Sequence, residues 1–349
     1  FRLPRVGRPA KASGTRRLSG WGYGHRRYPH PLEVAPLLLA GLPTRGRRSV
    51  GALLVALLTL LPPAQAAERE RAVAAGGMAR KYTLIMPDKV TAPIPLIIVY
   101  HGGRGTAAQA RRYTRFDEWA ARENFAVAYP QGLDSNWNDG RSSPDIAARA
   151  SSDADDVEFT RQIIAQLEVE RIADPSRVYL TGASNGGMMA MRAGCELWDS
   201  IAGIAPVIAN QPVDWRCKAG RLAALFIHGT EDEYMPFAGG RIAATKTRQN
   251  LGDVLSVEET MADYKRINGC AAVKETNTLD KVGRDETKAV ITDYDCKEAP
   301  LRHIVIEGGG HTWPGARAGV VAEMVLGRTS DEINATAEIW NFFRALTPQ

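Results

Sequence analysis

No apolar stretch in the 349 residues reaches the ~20 that a bilayer-crossing helix requires. The longest candidate, "VGALLVALLTLL" at 50–61, would span only ~18 Å as a helix, so a retained membrane anchor is not expected. Cysteine is scarce as well. The four present, Cys195, Cys217, Cys270 and Cys296, include no close pair of the kind zinc sites use, and no metal is expected. Internal repeats and low-complexity linkers are absent after residue 67, which argues against a solenoid or an appended module.

An excess of base is also missing from most of the chain, although the formal charge is +5. Residues 1–66 hold eleven Lys/Arg and one acid, Glu33, which leaves 33 bases against 38 acids in 67–349. The body of the protein gives no electrostatic case for nucleic acid, and that partner is excluded from the expectations.

What is present begins with a leader. "RGRR" at 45–48, the apolar run at 50–61 and "PPAQA" at 62–66 combine a basic region, a short hydrophobic region and an Ala-x-Ala site. That is the pattern of a secretory signal peptide over 45–66, cleaved near Ala66. Residues 1–44 lack an initiator Met and are rich in Arg, Pro and Gly; they read as a spurious or disordered upstream segment. The expected product is secreted or periplasmic, a single domain over 67–349 and a monomer. An even number of cysteines in an oxidising compartment favours two disulfides. Three connectivities are possible, and pairing of sequence neighbours is the simplest.

From about residue 80, short apolar runs alternate with longer amphipathic ones. An edge strand is predicted at 81–87 and buried strands at 95–103, 125–132, 177–184, 202–209, 223–230 and 302–310. Helices are predicted at 107–122, 156–170, 186–195, 258–268 and 331–346. Buried strands of nearly continuous Val/Ile/Leu/Ala, alternating with helices, predict an α/β fold with a mostly parallel central sheet covered by helices on both faces.

Gly182-Ala183-Ser184-Asn185-Gly186 fits G-x-S-x-G. The pattern alone is weak, but here it closes a buried strand and opens a helix, the context in which a nucleophilic serine is held out on a sharp turn. A serine hydroxyl needs a base. Among the four histidines after residue 67, His101 precedes the serine, His228 precedes the candidate acids, and His303 sits at the wrong end of its strand. His311, in "EGGGHTWPG", remains as the base. For the acid, "HGTEDEYMPF" offers Glu231, Asp232 and Glu233, with Asp232 best placed; its role would be to fix and stabilise the imidazole. Donors for a developing oxyanion would be the backbone N–H of Asn185 and one from Gly103 or Arg104 in "YHGGRGTA". Trp137-Asn138-Asp139 and Trp313 are candidate pocket liners. Asp153, Asp155 and Asp156 read as helix capping rather than a calcium site. No cofactor is called for.

In order along the chain, "HGGRGTA", "SNWND", "DDVEFTRQII", "GASNGGMMA", "HGTEDEYMPF" and "EGGGHTWPG" resemble the esterase family that includes polyhydroxybutyrate depolymerases and feruloyl or acetylxylan esterases. The resemblance covers roughly residues 80–345. It implies an α/β-hydrolase fold, a triad of Ser184, Asp232 and His311, and disulfides Cys195–Cys217 and Cys270–Cys296. It further implies an ester substrate: a polyester such as poly- or oligo-3-hydroxyalkanoate first, or a plant cell-wall ester. The family's secreted depolymerases usually carry a linker and a polymer-binding domain, for which this sequence shows no pattern. The other readings are a serine peptidase on the same fold, or a non-catalytic binding protein.

Overall fold

The chain enters its sheet earlier than the apolar pattern predicts. In the computed structural model, which describes residues 66–88, 90, 93–243, 249–317 and 320–346, strand β1 (Ala66–Ala75) precedes β2 (Met78–Pro87) and pairs with it antiparallel along its whole length. The segment 1–44 and the leader up to residue 65 lie outside the described residues. The strand read at 81–87 is therefore not an edge, because β2 lies between β1 and a strand further along. The edge is β1, whose Glu68, Arg69, Glu70 and Arg71 are the charges that discourage further pairing at a sheet margin.

Next come β3 (Ile94–Tyr100), α1 (Ala107–Thr114), α2 (Phe116–Glu123) and β4 (Ala126–Pro130). The single helix expected over 107–122 is broken at Arg115, which adopts a left-handed conformation (φ 55°) that no continuous helix allows. Thr106 opens α1 with a capping box closed by Gln109. After a short α3 (Pro144–Ala147), α4 (Asp156–Val169) starts at Asp155, whose side chain accepts from the Glu158 N–H as a cap.

The remaining elements are β5 (Ala173–Ala183), α5 (Asn185–Glu196), β6 (Gly203–Val207), β7 (Ala224–Gly229), β8 (Gly240–Ala243), β9 (Asn250–Val254) and α6 (Val257–Ile267). They are followed by β10 (Cys270–Leu279), β11 (Lys288–Cys296), β12 (Leu301–Glu307), α7 (Val320–Leu326) and α8 (Ala335–Arg344). Among the described residues, ten strands form one sheet in the order β1-β2-β4-β3-β5-β6-β7-β12-β11-β10. Its six central strands, β4 to β12, are parallel, and the two flanks are antiparallel. This is the expected α/β architecture.

The central strands β3, β4, β6 and β7 are buried at every position, as a sheet covered on both faces demands. One core cluster packs α4, α5 and α6 on one face around Phe159, Met189 and Tyr264. The other packs α1, α2 and α8 around Phe116, Trp340 and Phe343. No helix among the described residues is long and apolar enough to cross a membrane.

Two disulfides brace the frame. Cys195–Cys217 ties the C-terminal end of α5 to the segment before β7, and Cys270–Cys296 closes the β10–β11 pair. These are the neighbour pairings.

Candidate active site

Every segment expected to carry chemistry follows the C-terminal end of a parallel strand, the edge where open α/β sheets build their sites. Ser184 follows β5, Gly103 follows β3, Asp232 follows β7 and His311 follows β12. Ser184 has φ 57° and ψ −123°, a conformation that costs a non-glycine residue on the order of 1–3 kcal/mol. The surrounding glycines explain how the turn is accommodated. A Cβ on Gly186 would lie 2.4 Å from the carbonyl oxygens of Tyr100 and His101, and one on Gly182 would lie 2.7 Å from the Gly186 and Tyr100 carbonyl oxygens. The two glycines of the motif are needed for backbone clearance between β3 and the turn. The Ser184 N–H donates to the Val207 carbonyl (3.0 Å), anchoring the corner to β6.

His311 donates from Nδ1 to Oδ2 of Asp232 at 2.7 Å. The other carboxylate oxygen accepts from the backbone N–H groups of Tyr234 (2.9 Å) and Met235 (2.8 Å), so the buried Asp232 is fixed in orientation. Held in that way, a carboxylate fixes the imidazole with Nε2 unprotonated and able to take a proton. Glu231 is instead exposed and paired with Arg328 (2.7 Å), and Glu233 is exposed.

The other histidines serve the frame. His101 is buried; Nε2 accepts from the Gly132 N–H (3.0 Å), which leaves Nδ1 protonated to donate to the Gly102 carbonyl (2.8 Å). Burial lowers its pKa from the usual 6.5 to about 4, so the neutral ring acts as a strut for the loop that carries Gly103. His228 donates from Nε2 to the Ala209 carbonyl and accepts at Nδ1 from Nε2 of His303, both at 3.0 Å. Burial drives His228 to about 4, and burial with the neighbouring His228 holds His303 well below its ordinary value.

Ser184 and His311 line one cleft of about 340 Å³ together with Gly103, Arg104 and Asn185. The backbone N–H of Asn185 opens α5 and is one of the donors that have no acceptor within a helix. Its side chain is committed elsewhere: Oδ1 accepts from the Trp137 N–H (2.9 Å), and Nδ2 donates to the Trp137 carbonyl (3.1 Å) and to Oδ2 of Asp139 (2.6 Å). Asp139 in turn pairs with Arg141 at 2.7 Å.

The expected pocket liners are not in the cleft. Trp137 is buried against Tyr100 and His101, and its Nε1–H donates to the His101 carbonyl (2.8 Å). Asn138 spends its side chain on the Ala154 carbonyl and Arg192. Trp313 is buried beside Tyr113 and Phe116 and donates to Thr336 Oγ1 (3.1 Å). Both indoles are satisfied inside the core, which is why neither reaches solvent. The walls come instead from other residues, some of them within the quoted motifs (Asn136, Met188, Met235) and some outside them. Met188, Met235, Ile242, Leu251 and Leu326 supply apolar surface, while Asn136, Arg141 and Arg149 supply polar groups. Among the described residues no cluster of side chains could hold a metal ion.

No family model matches the chain. The chain is 30% identical over 266 residues to "Putative esterase NocK" of Nocardia uniformis subsp. tsuyamanensis, covering 73% of this chain and 76% of that protein. It is 31% identical over 193 residues to feruloyl esterase B of Piromyces equi, over 53% of this chain. It is 30% identical over 164 residues to poly(3-hydroxyalkanoate) depolymerase C of Paucimonas lemoignei, over 45% of this chain. The matches span 34% and 37% of the lengths of those last two proteins. Among solved structures, an acetyl xylan esterase from Aspergillus awamori superposes with TM-score 0.50 at 13% identity, over 70% of this chain and 94% of that one. A dienelactone hydrolase-like phosphotriesterase, P91, from metagenomic libraries does so with TM-score 0.50 at 16% identity, over 81% and 99%. At such identities the structural likeness shows the fold, that of an α/β-hydrolase.

Proposed function

The chain belongs to the α/β-hydrolase esterase family of feruloyl esterases, acetylxylan esterases and polyhydroxyalkanoate depolymerases, and we propose that it is an exported serine esterase acting through Ser184, His311 and Asp232. The observation that carries this reading is the 2.7 Å bond from His311 to Asp232 beside a Ser184 held at φ 57° in the same cleft. Ser184 Oγ attacks the ester carbonyl as its proton passes to His311 Nε2. The ester C–O bond breaks and the alcohol leaves with that proton. Water then attacks the acyl-enzyme, gives a proton to His311, and the carboxylic acid departs as the Ser184 C–O bond breaks and Oγ is reprotonated. The backbone N–H groups of Asn185 and of Gly103 or Arg104 hold the oxyanion in both tetrahedral intermediates.

The exported enzyme starts near Ala67 as one catalytic domain, keeping all of β1 but its first residue, and its two disulfides suit an oxidising compartment. The substrate we favour is an aliphatic polyester or oligoester of the 3-hydroxyalkanoate type. Its support is the apolar wall, which is made of Met, Ile and Leu, with Tyr234 the one Phe, Tyr or Trp side chain among the described lining residues. The names of the relatives favour a second reading, a feruloyl or acetylxylan esterase.

The test runs amorphous poly(3-hydroxybutyrate), soluble hydroxybutyrate oligomers, methyl ferulate and acetylated xylan side by side, with Ser184→Ala as the blank. Ser184-dependent release of hydroxybutyrate from polymer or oligomer is the expected result. Ferulate or acetate release without it would move the enzyme to the second reading.

A further inference from the structure

The cleft beside Ser184 carries three arginines, Arg104, Arg141 and Arg149, and no carboxylate lines it among the described residues. An ordinary neutral ester gives such a pocket nothing to bind with its charge. Arg141 is accounted for: its guanidinium pairs with Asp139, and it also donates to the Leu251 carbonyl at 2.7 Å. Arg149 is different. Its guanidinium donates to Oδ1 of Asn136 at 3.2 Å and meets no carboxylate within 4.0 Å among the described residues. The carboxylates that act on it from further away are Asp139, already paired, and Asp145, which accepts from the Asn250 N–H. Arg104 is held in a left-handed turn (φ 60°) in the loop after β3, and its guanidinium donates to Gln249, a neutral partner. Burial and the two neighbouring guanidinium groups lower the pKa of Arg149 from its ordinary value, so its charge is under strain that an anion would relieve.

The three side chains come from separate loops, after β3 and in the long segment between β4 and α4. They line one cleft together with aliphatic surface from Met188, Met235 and Ile242. A planar guanidinium beside apolar surface is suited to a carboxylate at the end of a short aliphatic chain.

We propose that Arg149, supported by Arg104 and Arg141, forms a carboxylate subsite, and that the preferred substrate is an aliphatic ester bearing a free carboxylate near the scissile bond. The inference rests on the serine-esterase reading above and sharpens its substrate. Two sources share this chemistry. The carboxylate lies on the alcohol side in an oligomer of a hydroxy acid, whose free chain end is a carboxylate, and on the acyl side in a half-ester of a dicarboxylic acid.

The experiment compares matched pairs with purified protein: 3-hydroxybutyrate dimer against its methyl ester at the carboxyl end, and monoethyl glutarate against ethyl pentanoate. The expected result is a preference for the charged member of at least one pair by about tenfold or more in kcat/KM, carried by KM and reduced by added salt. Preference in the first pair assigns the hydroxy-acid source, and preference in the second the dicarboxylic source. Arg149→Gln is expected to bring that preference down towards about one, and Arg149→Lys to retain part of it. Neutral members cleaved as well as the charged ones in both pairs would overturn the subsite, as would an Arg149→Gln protein that keeps the full preference. Failure of the broader reading would look different: no Ser184-dependent cleavage of any ester, charged or neutral.

Discussion

Asp139 accepts a 2.6 Å hydrogen bond from the side-chain amide of Asn185, the residue that directly follows Ser184. Through that bond a buried carboxylate in the loop after β4 holds the first residue of α5, and so the N–H proposed to face the oxyanion, against the rest of the site. Asp139→Asn is expected to lower kcat on a neutral ester by about tenfold or more with little change in KM, because the donor it positions acts on the transition state. It also strips Arg141, itself nearly buried, of its partner, a change that typically costs about 3–5 kcal/mol. Kinetics and thermal unfolding measured together separate the two effects. A variant that melts earlier but turns over normally would show that Asp139 serves the fold alone.

The clearance at Gly186 leads to a second expectation. A methyl group there would meet two carbonyl oxygens at 2.4 Å, and neither can move without displacing β3. Gly186→Ala is expected to destabilise the protein by several kcal/mol or prevent its accumulation, whereas Gly240→Ala has nothing within 4 Å of its Cβ and serves as a control for the effort of substitution, even though its own φ of 96° makes it mildly strained. Urea unfolding of the two variants compares them directly. Equal stability of Gly186→Ala and wild type would contradict the packing described for the turn.

The buried imidazoles set the acid limit. His101 and His228 are held near pKa 4 and His303 well below its usual value, all chiefly by burial. The unfolded chain binds protons at these sites below about pH 6.5 while the folded one does not, so stability is complete above that pH and falls as the pH drops towards about 4. His101 and His228 each contribute up to roughly 3 kcal/mol across that window, and His303 acts in the same direction. Unfolding free energies at about pH 7, 5.5 and 4.5 should decline in that order. A flat profile would mean that the three rings are not held neutral.

The parts of the site legible in the sequence were those announced by a strand end. Ser184, Asp232 and His311 each follow an apolar run within a few residues, so strand, turn and functional group could be read as one local pattern. The same logic made Asp232 preferable to Glu231, which the structure ties to Arg328 on the surface. The outer strands β1 and β10 of the antiparallel flanks were not legible, because a run of polar residues interrupts each, Glu68 to Arg71 in one and Lys274 to Thr278 in the other, and breaks the apolar signature. Trp137 and Trp313 misled for a physical reason. An indole beside polar residues looks like a pocket wall, but here a core acceptor satisfies each ring N–H, the His101 carbonyl for one and Thr336 for the other. Arg104, Arg141 and Arg149 lie on loops up to 45 residues apart, and their convergence is a property of the fold.

Intact-mass measurement after reaction with a fluorophosphonate, combined with hydrolysis of 4-nitrophenyl butyrate, tests the central claim most directly. One adduct located at Ser184 by peptide mapping, with hydrolysis abolished by the adduct and falling by about a thousandfold or more in Ser184→Ala, is the predicted result. A folded protein that takes no label at Ser184, or a Ser184→Ala variant that hydrolyses the ester at the wild-type rate, would contradict it.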